Sequence, residues 1–300
     1  MDMTQNKCCR HGANLRRRRR RRRKILRSII FSCSIIAVAV FVAVGSRMIR
    51  SGDGRTNKYD VEAGNNTYDN AVIENSKISE KNKIQNNQSM LDDIMNSTQY
   101  PKQLKDLALK NDEALEFVYD YPAEHVKEHT IDLTEEASMD SVPLFVQWDK
   151  RWGYEKYSGN FFAASGCGPT TLSMVVVYLT HNREASPIAV AKYSKEAGYS
   201  VDGSGSSWTL ISEGCMHYGV KAKAVALDES RMKAEIDEGH PIVVNVGPGD
   251  FTDTGHFMVI TGYDDEGFSI NDPNSIEKSG KRWLFKNISS QIRAVWSMYV

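Results

Sequence analysis

The hydrophobic period of this chain changes once, and that change constrains its fold more than any other feature. Upstream, "CGPTTLSMVVVYLT" (167–180), "SPIAVAKYSKEAG" (186–198), "SSWTLISEGCMHYG" (206–219) and "ESRMKAEIDEG" (229–239) carry apolar residues at helical spacing. Glycine closes three of them, as expected of helix ends. Downstream, "HPIVVNVG", "GHFMVITGYD", "GFSINDP" and "RAVWSMYV" are β-rich runs separated by glycine and acidic turns. Helices followed by a mostly antiparallel sheet predict an α+β domain over 142–300, with "VPLFVQ" (142–147) as an additional strand at its start.

The N-terminal part calls for a different environment. The formal net charge is zero, but Arg16 to Arg23 are consecutive arginines followed by Lys24, while the acids are spread through the remainder. A nucleic-acid patch is one reading of such a run. The following stretch, Ser28 to Ser46, decides against it: no charged residue interrupts it, and its length suits a helix crossing a hydrocarbon layer about 30 Å thick. The excess of positive charge before the span, against only Arg47, Arg50 and Arg55 just after it, orients the N-terminus to the cytoplasm. The expected organisation is a basic cytoplasmic tail (1–27), one transmembrane helix (28–46) and an extracytoplasmic remainder at the plasma membrane, with no nucleic-acid partner. Cys8 and Cys9 lie in the tail and Cys33 in the span, which leaves Cys167 and Cys215 outside, where one disulfide between them is open.

Residues 47–99 are rich in Asn, Ser, Lys and Glu and follow neither helical nor strand period for long, so they read as a disordered stalk. A helical preamble is expected over 100–141, with Asn111 as an N-cap before Asp112 and Glu113, and its two short apolar faces should pack on the main domain. His125 and His129 share helical spacing but no third ligand follows, and Asp250 and Asp253 are weak calcium candidates. Neither metal nor cofactor is expected. Gly203-Ser204-Gly205 lacks the Lys-Ser/Thr of a phosphate loop.

Cys167 stands between Gly166 and Gly168 where an apolar helix begins. Unpaired N–H groups and the positive end of the helix dipole favour a thiolate there, although a packed, inert side chain is an equal reading of that stretch alone. The flanking glycines would allow a sharp bend and the close approach of a substrate carbonyl. A nucleophile needs a base, and among seven histidines His256 stands out, because it follows Gly255 at the start of an apolar strand and can be held rigidly. Asp272 on the next run could orient the ring. For both to share a face the hairpin must have odd parity, expected from a three-residue loop with Gly267 as a bulge; Asn271 would then point away. Gln147, at the end of "VPLFVQ", could join the Cys167 N–H in stabilising an oxyanion. Cys215 reads as core.

Taken together, "PLFVQWDKRWGY", "SGCGPTTLSMV", "TGHFMVITGY" and "INDPNS" resemble the papain-fold cysteine peptidases of the stand-alone C39-like group, relatives of the double-glycine leader peptidases. The resemblance covers roughly Tyr100 to the C-terminus. It implies a papain-like fold, Cys167 as nucleophile, His256 as general base and acid, Asp272 as orienter and Gln147 as oxyanion donor. The implied activity is hydrolysis of peptide or cell-wall peptide bonds. An amidase or acyltransferase using the same triad, and a surface module that binds peptide without cleaving it, are the alternatives. Leader trimming does not carry over, since no nucleotide-binding part accompanies the single span.

Overall fold

The computed structural model describes residues 67–300. The tail 1–27, the span expected over 28–46 and the first part of the stalk lie outside the described residues. Among the described helices none is long and apolar enough to cross a membrane.

The stalk reading needs correction. Thr67–Asn96 forms a helix, α1, and its end is anchored: Ile94 is fully buried, with Met90 and Leu91 packed against the same cluster. Once two turns are fixed by packing, extending a helix costs little per residue, so a polar sequence can continue it backwards. The cluster that receives Ile94 is built by α2 (Lys102–Lys110) and α3 (Leu115–Tyr119) through Leu104, Leu107, Leu115, Phe117 and Val118. Between them Asn111 Oδ1 accepts from Glu113 N (3.0 Å) and caps a 3-10 turn, Asp112–Ala114. Phe161 and Ala163 of the main domain belong to this cluster too, so the preamble is packed on the segment that leads to Cys167.

The long helices of the main domain are α4 (Cys167–Thr180), buried without interruption from Gly168 to Val177, and α5 (Pro187–Glu196), N-capped by Ser186. Burying a Val or Leu side chain contributes about 1.5–3 kcal/mol, so α4 is a principal element of the core. The sheet is fully antiparallel, with spatial order β1-β6-β2-β3-β4-β5. Its strands are β1 (Lys221–Ala224), β2 (Ile242–Val246), β3 (His256–Asp264), β4 (Gly267–Asn271), β5 (Arg282–Trp283) and β6 (Ile292–Tyr299). Val243, Phe257 and Val259 face α4, while Val244, Met258, Ile260 and Ile270 face a second cluster closed by Met232 of α6 (Glu229–Asp237) and by Phe251 and Ile288. Alternation along each strand thus feeds two cores from one sheet.

Two local expectations differ. Residues 142–147 form no strand: Pro143 has no N–H to give a ladder, and the segment is held instead by Asn271 Nδ2 on the carbonyls of Val142 (3.1 Å) and Pro143 (3.0 Å). The helix expected over 206–219 breaks into Thr209–Ser212 and a 3-10 turn, Gly214–Tyr218, and at the break Gly214 leaves room for Tyr199 and Leu210, which a Cβ there would crowd.

Candidate active site

Cys167 is the first residue of α4 and is partly buried at the rim of the core. Its flanking glycines serve packing rather than bending. Neither has positive φ, but a Cβ on Gly166 would lie 2.6 Å from the Phe162 ring, and one on Gly168 would lie 2.5 Å from Ser206 Oγ. Ser206 in turn joins a buried hydroxyl chain, at 2.7 Å from Tyr157 Oη, which is 2.8 Å from Ser194 Oγ. Cys167 and Cys215 are both free, so no disulfide joins them. Cys215 is fully buried, and burial pushes its thiol up to about 11.

His256 opens β3, opposite Val246 of β2, and is buried. Its Nε2 lies 2.7 Å from Asp272 Oδ1, and the Cys167 thiol is near enough that ring and thiol shift each other's titration; with Nε2 engaged by the carboxylate, Nδ1 is the ring nitrogen left for the thiol. The parity that this pairing needs arises differently from expectation. The β3–β4 turn is a tight one in which Asp264 pairs Gly267, leaving only Asp265 and Glu266 between them. On that register Val259 would face Asp272 and His256 would point to the other side. A bulge at Thr261, where the register shifts between Ile260 and Gly262, moves the pairing by one residue and returns His256 to the side of Asp272. Gly267 adopts φ +133°, and a Cβ there would meet the Trp283 carbonyl at 2.6 Å, so its role is to let β5 approach.

The electrostatics follow from this geometry. Burial disfavours the imidazolium of His256, but the charge and hydrogen bond of Asp272, helped by Cys167, outweigh it and raise the ring to about 10. Burial likewise opposes the Cys167 thiolate, yet the His256 hydrogen bond and charge, with the backbone N–H groups of Phe257 and Gly168, leave the thiol below its ordinary range. The pair can therefore hold a thiolate beside an imidazolium.

Gln147 is buried, and its Nε2 donates to the Ala163 carbonyl (2.7 Å), four residues before Cys167; its own N–H donates to Pro273 O (2.7 Å), beside Asp272. It thus spans the two halves of the site. Asn271 turns to residues 142 and 143. Thr171 was not singled out in sequence: one turn after Cys167, its Oγ1 donates to Phe257 O (3.1 Å) and ties α4 to the residue next to His256. The four-residue interval from Cys167 was the available signal. His125 stacks on Tyr121, His181 bonds Ala137 O, His217 stacks on Tyr193, and His240 pairs with Glu235; Asp250 is paired with Gln291.

A family model described as the Peptidase_C39 like family matches residues 139–300. The chain belongs to this family. Among solved structures it is similar to the peptidase domain of Streptococcus ComA, a bi-functional ABC transporter involved in a quorum-sensing pathway. That match has 19% identity over 53% of this chain and 96% of that one, with a TM-score of 0.38. It is also similar to a chain described as a C39-like peptidase from Bacillus anthracis (16% identity, 53% and 95% coverage, TM-score 0.34). No curated protein matches it. Membership of the Peptidase_C39 like family suggests a function of the cysteine-peptidase type and a peptide as substrate.

Proposed function

We propose that this chain is a membrane-anchored, extracytoplasmic thiol hydrolase that cleaves peptide bonds through Cys167, His256 and Asp272. The observation that carries the reading is the buried contact chain from Asp272 through His256 to a partly exposed thiol at a helix start. In the proposed reaction the Cys167 thiolate attacks the carbonyl carbon, and the oxyanion is met by the Cys167 N–H and by the second N–H of the Gln147 amide, whose first is used on Ala163. The His256 imidazolium gives its proton to the leaving amine as the C–N bond breaks, leaving an acyl-enzyme thioester. The neutral ring then takes a proton from water, hydroxide adds to the thioester, and the acid product leaves as the thiolate–imidazolium pair is restored. The uncharged 28–46 stretch behind a basic tail supports the anchor and its orientation.

The test is peptide-library turnover together with labelling by an acyl-type thiol probe. Cys167→Ala and His256→Ala should each abolish both, while Cys215→Ala keeps them; equal signals from all three variants exclude the enzyme. For the anchor, the full chain should sediment with membranes and removal of residues 28–46 should release it, whereas a soluble full chain contradicts it.

A further inference from the structure

Asp272 does not hold its own place. It stands just beyond β4 and is followed by a turn, Pro273–Ser275, and by the one-turn helix α7 (Ile276–Ser279). Within the segment, Asp272 Oδ1 accepts from Asn274 N (2.8 Å), Asp272 N donates to Ser279 Oγ (2.9 Å), and Ser275 Oγ caps α7 by accepting from Lys278 N (3.1 Å). Several further bonds that fix the turn come from far away in sequence. Asn111 Nδ2 donates to Asn274 O (2.9 Å) and Oδ1 (3.0 Å), and Trp148 Nε1 donates to Asn274 O (3.2 Å).

Glu113 makes the larger contribution. Its carboxylate accepts from Ser275 Oγ, from Ile276 N (2.8 Å) and from Glu277 N (3.1 Å), so it satisfies the first N–H groups of α7, which have no intrahelical partner. Asn111 holds Glu113 in turn, through Oδ1 on Glu113 N (3.0 Å). Both residues precede the family match, which starts at 139. A carboxylate that takes three donors on one turn, two of them backbone, fixes that turn more strongly than neutral bonds would.

We propose that Asn111 and Glu113 are positioning residues of the thiol site, acting on Cys167 through the turn that carries Asp272, so that the preamble is part of the catalytic unit. The inference rests on the reading given under Proposed function. The ionisable partners of His256 are Asp272 and Cys167, and those flanking the turn are Glu113, Glu277 and Lys278. If the turn loosens, the Asp272 carboxylate moves from Nε2, the imidazolium loses its partner and the thiolate loses the imidazolium.

The experiment is the pH dependence of iodoacetamide alkylation at Cys167, followed by peptide mass spectrometry on the full 300-residue chain, with thermal melting of each variant. Glu113→Gln, which puts an amide donor against two backbone N–H groups, should raise the apparent thiol pKa by about one unit. That shift slows alkylation about tenfold at pH values below it. Glu113→Asp should recover part of the shift, and Lys102→Ala, an exposed change in the same preamble, should leave the profile unaltered. Asn111→Ala, which keeps the carboxylate, should shift the profile in the same direction and gives the reading should Glu113→Gln not fold. A wild-type profile in folded Glu113→Gln and Asn111→Ala overturns the positioning role alone. An ordinary thiol pKa in the wild type, unchanged by His256→Ala, removes the proposed hydrolase and this inference with it.

Discussion

Cys167 and His256 are held at the meeting of a helix start and a strand start, and each is tuned by the other as much as by its own surroundings. Asp272 raises the ring because its negative charge stabilises the imidazolium; removing that charge lowers the ring and, with the imidazolium less populated, raises the thiol. The thiolate–imidazolium window therefore runs from the depressed thiol value to about 10, and Asp272→Asn should narrow it from both sides. Measured by alkylation of Cys167 and by peptide turnover, the acid limb should move up and the alkaline limb down. An unchanged alkaline limb would mean that the carboxylate does not set the ring. Two flanking glycines and the left-handed Gly267 could be read as flexible points in the sequence, yet all three are explained by atoms pressed against their missing Cβ. Such a distinction is invisible locally, since the pressing atoms belong to Phe162, Ser206 and Trp283.

At the scale of elements, a side-chain bond from Thr171 to the Phe257 carbonyl ties α4 to β3 alongside their shared apolar packing. Thr171→Val keeps the shape but strands a buried carbonyl, and should cost about 1–3 kcal/mol in urea unfolding while slowing Cys167 alkylation. Gly168→Ala drives a methyl into Ser206, and about 1–3 kcal/mol of strain is expected. Pairing it with Ser206→Gly should recover most of the loss in the same unfolding measurement, and a failure to do so would place the strain elsewhere. The β3–β4 hairpin shows why parity was only half legible. Period two demands an odd step between His256 and Asp272, and the sequence expresses that demand. Whether a turn or a bulge supplies it depends on which fits the twist and the neighbouring strands, and here Thr261 bulges while the turn stays tight.

At the scale of the whole molecule, the preamble and the matched domain share one body. Ile94 is buried in the same cluster as Phe161 and Ala163, and Lys150–Asp120 and Arg151–Glu136 ion pairs join residues on the two sides of position 139. Ile94→Ala should therefore cost about 2–5 kcal/mol in thermal or denaturant unfolding, as a fully buried aliphatic does. No loss would mean that α1 is not docked. The polar composition of 67–96 gave no warning of this helix, because the value of the apolar side chains that anchor it, Met90, Leu91 and Ile94, depends on a surface supplied by α2 and α3.

Sequence by itself determined what neighbouring residues can settle: the helix that Cys167 opens, the four long β-runs, the cap at Asn111 and the uncharged stretch at 28–46. These are consequences of side-chain period and of backbone groups that must be paired nearby. Only the tertiary structure decided that the turn bearing Asp272 is fastened by a side chain 163 residues earlier, that 142–147 runs without a ladder, and that a bulge sets which way His256 points. Those outcomes depend on which surfaces meet once the elements pack, and a contact between distant positions leaves no local period to read.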